Sequence, residues 1–140
     1  MAIKITGTNT AAAPGITGDD TDTGLFYGTN EIGFSTGGTS RLTLDSSGHL
    51  NVPDNGKIRF GTGNDLEIFH NGNNSLIKDT GTGNLLLSSN QTQIVNAAET
   101  ELCARFDEDG AVELYHNGTK KFETYASGTL TTGNLKNTGS

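Results

Sequence analysis

The chain has 140 residues, a formal charge of −7, 31% hydrophobic and 18% charged residues, and a remainder dominated by Gly, Thr, Asn and Ser. Lysines and arginines number nine and are spread out, with Lys120-Lys121 the only adjacent pair, which excludes the concentrated basic face that nucleic-acid phosphates require. No apolar run approaches a membrane span, and a single cysteine, Cys103, excludes an intrachain disulfide framework.

The first 24 residues carry little pattern. Ile3 and Ile5 alternate with polar residues and suggest a short strand, while Thr6 to Gly24 reads as loop. The start Met1-Ala2-Ile3-Lys4-Ile5 lacks the apolar core of a signal peptide, so synthesis and use without Sec export are expected. Asp19-Asp20-Thr21-Asp22 offers carboxylates to a hard cation. Without the spaced ligands of a calcium loop, an Asp-rich turn bonding its own backbone amides is the simpler reading.

From Leu25 onward, short alternating runs are separated by turns. Leu25 to Tyr27, Glu31 to Ser35 and Arg41 to Asp45 read as strands, with Leu42 and Leu44 on one face. In Asp45-Ser46-Ser47-Gly48 the aspartate can accept backbone amides two or three residues on, and Gly48 can take a positive φ. Leu50 and Val52 resume the alternation, Pro53-Asp54-Asn55-Gly56 turns again, and Ile58 and Phe60 mark the next strand.

A weak repeat follows. Glu67-Ile68-Phe69-His70-Asn71-Gly72 returns 46 residues later as Glu113-Leu114-Tyr115-His116-Asn117-Gly118. The first copy leads into Leu76-Ile77-Lys78-Asp79, then a break at Gly81-Thr82-Gly83, then Leu85-Leu86-Leu87. Gln93 to Val95 reads as strand and the stretch after it as loop. In the second copy a two-residue Asn-Gly hairpin would set Leu114 opposite Lys121. A three-residue loop of His116, Asn117 and Gly118 would pair Val112 with Phe122 and Glu113 with Lys121, keeping one face apolar. The apolar pattern favours the three-residue loop, with His116 in the turn. Turn signals at short, regular spacing predict an all-β architecture. The expected division is 1–24 as an attachment or loop segment, 25–64 as a first hairpin region and 65–140 as the repeat region.

No catalytic, cofactor-binding or metal-binding residue is nominated. His49, His70 and His116 lack zinc-site spacing within one chain, though three copies of one histidine can meet on a trimer axis. Gly61-Thr62-Gly63 and Gly81-Thr82-Gly83 do not continue into a phosphate loop. Asp107-Glu108-Asp109-Gly110 lacks the closing Glu of a calcium loop and reads as a turn. Cys103, alone in a strand, reads as a buried free thiol, with a bridge between subunits as the alternative. The chain is therefore not expected to be an enzyme.

Gly18-Asp19-Asp20-Thr21-Asp22-Thr23-Gly24-Leu25-Phe26 resembles the Gly-Asp-Thr-Asn-Thr-Gly-Ile-Tyr segment of phage tail-fibre proteins. Phe34 to Thr39 and Leu44 to Gly48 look like its usual continuation, and Asp65 to Gly83 and Gly110 to Gly128 are similar to repeats in fibre-like structural proteins of marine bacteriophages. The resemblance implies an elongated, intertwined homotrimer of β-prism or β-helix type. The implied setting is the virion, beside other tail or virion proteins, with a role in host attachment through a surface glycan or protein. It implies neither nucleic-acid binding nor membrane insertion. A connector or head-surface fibre without receptor, and a glycan-cleaving spike, are the alternatives. The narrow apolar face of Leu42, Leu44, Leu66, Ile68, Val112, Leu114 and Phe122 is the expected trimer contact.

Overall fold

The computed structural model describes Lys4–Ile5 as backbone and residues 9–134 in full; the expected strand residue Ile3 and the start of the expected loop at Thr6 lie outside the described residues. Fourteen strands and no helix occur among the described residues. The chain falls into two compact units, Met1–Asn84 and Leu85–Ser140.

The first unit holds two antiparallel sheets. One is a six-stranded meander of β1 (Lys4–Ile5), β2 (Ile16–Thr17), β3 (Gly24–Gly28), β4 (Glu31–Thr36), β5 (Thr39–Leu44) and β6 (Leu50–Asn51), each beside its sequence neighbour. The other is β7 (Ile58–Phe60), β8 (Leu66–His70) and β9 (Ser75–Asp79). The second unit is a five-stranded meander of β10 (Gln91–Val95), β11 (Leu102–Asp107), β12 (Val112–His116), β13 (Thr119–Tyr125) and β14 (Gly128–Thr131). Meanders of this kind form where short alternating runs meet tight turns, because each hairpin needs only local closure.

The turns follow from their residues. Gly37 and Gly38 both have positive φ and join Thr36 to Thr39 as a two-residue type I′ turn; Asn117 and Gly118 do the same between His116 and Thr119. Asp45 Oδ1 accepts the amides of Ser47 and His49, each at 2.9 Å, and Gly48 has φ +82°. Asp107 to Gly110 is a turn between β11 and β12, closed by the Gly110 amide on the Asp107 carbonyl at 3.2 Å.

Three expectations are corrected. The second hairpin does not use a three-residue loop. Its turn is the two-residue Asn117-Gly118, and the parity problem is solved inside β13, where Lys121 bulges out so that Leu114 pairs with Phe122 and Glu113 with Glu123. His116 is consequently the last residue of β12, paired with Thr119, not part of the turn. The six-stranded sheet uses the same device: Arg41 bulges between Ser40, paired with Ser35, and Leu42, paired with Phe34. Secondly, the stretch read as loop contains β2, which is held by pairing Ile16 with Leu25 and Thr17 with Gly24. Thirdly, Cys103 is exposed. It is the extra residue of a bulge in β11, unpaired between Leu102, which pairs with Val95, and Ala104, which pairs with Ile94.

The small-residue face of the first sheet is well covered. Phe26 is 5% exposed and its ring lies across Gly33, while Pro14 is fully buried and approaches Gly24. A methyl group at Gly33 would fall inside the Phe26 ring. The two buried hydrophobic residues among those described are Phe26 and Ala104, besides Pro14.

Candidate functional site

Each sheet presents one face of large apolar side chains to water. In the first sheet Tyr27, Ile32, Leu44 and Leu50 lie in a cross-strand row, beside the row Leu25, Phe34 and Leu42. In the three-stranded sheet Ile58, Ile68 and Ile77 form an all-isoleucine row, with Phe60 and Leu66 paired alongside. In the third, Ile94, Ala104, Leu114 and Phe122 run across four strands, flanked by the Phe106–Val112 pair. The residues expected at a contact face (Leu42, Leu44, Leu66, Ile68, Val112, Leu114 and Phe122) therefore do occupy the apolar sides of their sheets. Ile32, Phe34, Leu44, Leu50, Ile58, Phe60, Ile68, Ile77, Ile94, Phe106 and Leu114 are all more than a third exposed. An open groove of about 480 Å³ runs along the isoleucine row, lined also by Leu50, Val52 and Leu76, and carries no carboxylate, lysine or arginine.

In the three-stranded and five-stranded sheets the opposite faces are closed by charge. Glu67 is 7% exposed. Arg59 faces it directly across the β7–β8 ladder and donates at 3.1 Å, Lys57 donates at 2.8 Å, and Lys78 faces it from β9. The Lys57 ammonium also sits 4.6 Å from the Phe69 ring centre. Glu113 is 5% exposed and occupies the equivalent place. Arg105 faces it across the β11–β12 ladder at 3.0 Å, Lys120 approaches at 3.1 Å, and the Tyr115 hydroxyl donates to it at 2.5 Å. Lys120 also pairs with Glu123, and Arg105 with Asp107 at 2.9 Å.

These contacts set the protonation states. The hydrogen bond from Lys57, with the charges of Lys57, Arg59 and Lys78, holds the Glu67 carboxyl below the usual glutamate value against its desolvation. The Tyr115 hydroxyl, then Lys120 and Arg105, do the same for Glu113. In return Glu113 pushes the Tyr115 phenol up, and Glu123 with Glu113 pushes Lys120 up.

The 46-residue repeat is thus longer than its Glu-x-aromatic-His-Asn-Gly core. Arg59-Phe60 recurs as Arg105-Phe106 at the same offset, and in both copies the arginine is the cross-strand partner of the repeat glutamate. Sequence reasoning missed the buried glutamates. The recurring arginine eight residues before each glutamate was the signal that would have found them.

The other sequence features sit apart. Asp20 accepts the Asp22 amide at 3.2 Å as in an Asp-rich turn; hydrogen bonding between the two side chains lowers the Asp20 pKa and raises that of Asp22. His49 lies 3.3 Å from Asp45, and His70 lies 3.1 Å from the Ser75 hydroxyl. No group of three or more His, Cys, Asp or Glu side chains disposed to hold a metal occurs among the described residues. No helix among them is long and apolar enough to cross a membrane. The chain matches no protein-family model, no curated protein and no solved structure.

Proposed function

We propose that the chain is a non-enzymatic structural protein of a phage virion, a homotrimeric fibre-like component that contributes to host attachment. The observation that carries this reading is the one-sidedness of the sheets: one face is covered, by ion pairs around Glu67 and Glu113 in two sheets and by Phe26 and Pro14 in the first, and the apolar face stays open. On these faces twelve large apolar side chains lie between 39% and 61% exposed. Together they leave on the order of 1,100 Å² of apolar residue surface in water, above the roughly 800 Å² per partner of a stable interface. A single layer of short strands cannot offset its own ordering entropy. Closing such faces on copies of the same chain supplies the missing layer and shelters strand edges. Contact between like copies also suits the rows of Tyr27, Ile58 and Ile94, which hold no charged side chain, since symmetry sets each residue near its own counterparts. The order of the phage-like segments, from Gly18 to Gly128, supports the virion setting.

The test has two parts. Light scattering behind size exclusion should give the mass of three chains with an elongated profile, and labelled antibody should decorate the tail or another surface of intact particles. A compact monomer would overturn the trimer. A trimer that decorates particles yet leaves adsorption to host cells unblocked would assign a connector or head-surface fibre in place of an attachment protein.

A further inference from the structure

Between β9 and β10 the chain passes through Asn84-Leu85-Leu86-Leu87-Ser88, which belongs to no strand and enters no backbone ladder or turn bond. Leu85 is 45% exposed, Leu86 80% and Leu87 69%. The hairpin strands of this protein set apolar residues on one side and polar residues on the other. Leu85–Leu87 is apolar on both sides, the pattern of a strand buried on both faces. Backbone amides and carbonyls beside such side chains must find partners once the leucines leave water.

An edge suited to receive it exists. β9 is the outer strand of its sheet, and its second edge has no partner. β9 is five residues long, the length of the stretch 84–88. The groove beside it is lined by Ile77, Ile68, Ile58, Leu50 and Val52, and neither groove nor leucine stretch carries a carboxylate, lysine or arginine.

We propose that residues 84–88 are an exchanged strand: in the assembled protein they pair with the free edge of β9 in a second copy of this chain, seating leucine side chains in its isoleucine groove. The occupant is a second copy because donor and acceptor are present once in each chain, so every copy gives one strand and receives one. Such a heterologous contact closes into a ring when the rotation between copies allows. The inference rests on the trimeric reading above and adds the element through which the chains interlock.

The test uses the full chain with Cys103→Ser, Ile77→Cys and Leu86→Cys, a short bismaleimide that tolerates a one-residue register offset, and a denaturing gel. Hydrogen exchange is measured on the unmodified protein, and light scattering gives the mass of both. At the mass of three chains, the expected result is covalent dimers and trimers on the gel, with the amides of 84–88 exchanging on the order of 100-fold more slowly than in an unfolded peptide. Trimer mass with only monomer bands and fast exchange would overturn the exchanged strand and leave the trimer standing. Slow exchange with only monomer bands would assign the strand to its own chain and equally overturn the proposal. A monomeric mass would overturn both readings.

Discussion

At the scale of single residues, two contacts decide most. The Phe26 ring fills the space a side chain would need at Gly33, so Gly33→Ala should destabilise the first sheet by about 2 kcal/mol, as overpacking does. Thermal unfolding checks it; a variant as stable as the parent would mean the ring moves aside freely. The second contact is the repeated glutamate. Glu67 and Glu113 ionise more readily in the fold than at the ordinary value of 4.5. Their stabilisation is therefore complete above that value and is lost as pH falls through their depressed folded values. Melting temperature should fall steeply from pH 5 downward, and Glu67→Gln with Glu113→Gln should flatten that acid limb while starting lower at neutral pH. An unchanged acid limb in the double variant would move the sensitivity to other carboxylates. Tyr115 and Lys120 act with the opposite sign. Their pKa values are raised, so their contribution holds below the ordinary 10.0 and 10.5 and is lost as pH climbs through the folded values.

At the scale of elements, the hairpins show how parity is kept. The two Asn-Gly copies fold differently. Asn71 to Asn74 make a four-residue loop in which Asn71 Oδ1 accepts the Asn73 and Asn74 amides at 3.0 and 2.8 Å, and no bulge is needed to pair Ile68 with Ile77. Asn117-Gly118 makes a two-residue turn, and Lys121 bulges to pair Leu114 with Phe122. Deleting Lys121 should thus leave the hairpin intact, at a cost below about 1 kcal/mol, because the apolar pairs then align without a bulge. Deleting Leu76 from the regular β9 should flip the strand's remaining pairing and abolish the native near-ultraviolet spectrum. Equal effects of the two deletions would contradict the register. This is also where the sequence stopped being legible. Alternation fixes which residues share a face, but a longer loop and a bulge restore the same parity, so the pattern of Val112, Leu114 and Phe122 cannot choose between them. The Asp45 turn was legible, its Ser47 amide included, because it is closed by local bonds alone; the His49 amide, four residues on, lies one residue beyond the expected reach. Ile16–Thr17 was not, since two residues show no period and the strand exists only by pairing with Leu25 and Gly24. The apolar faces were legible from alternation; the buried glutamates needed the cross-strand arginines, which are neighbours in space and eight residues away in sequence.

At the scale of the whole molecule, the open faces and the closed faces respond to opposite changes. A charge placed in the isoleucine row, as in Ile68→Asp, would meet apolar surface and, in a symmetric assembly, its own copies. Lys121 is exposed and bulges unpaired from its strand, and Lys121→Asp alters charge by a larger amount without replacing a member of an apolar row. If copies of the chain close the open faces, Ile68→Asp should abolish the three-chain mass, whereas Lys121→Asp should leave it unchanged. The melting temperature of the parent should also fall by a few degrees on tenfold dilution, because association contributes to stability by mass action. Loss of the assembly in both variants would point to general unfolding. Retention of the assembly by Ile68→Asp would place the contact elsewhere than the face bearing Ile58, Ile68 and Ile77. A dilution-independent melting temperature would mean these single-layer sheets are stable without a partner, and the apolar rows would then have to be read as surfaces for a different protein. The three measurements act on separate links: residue placement, face choice and the thermodynamic need for a second layer. Only their joint outcome ties the one-sided sheets to assembly.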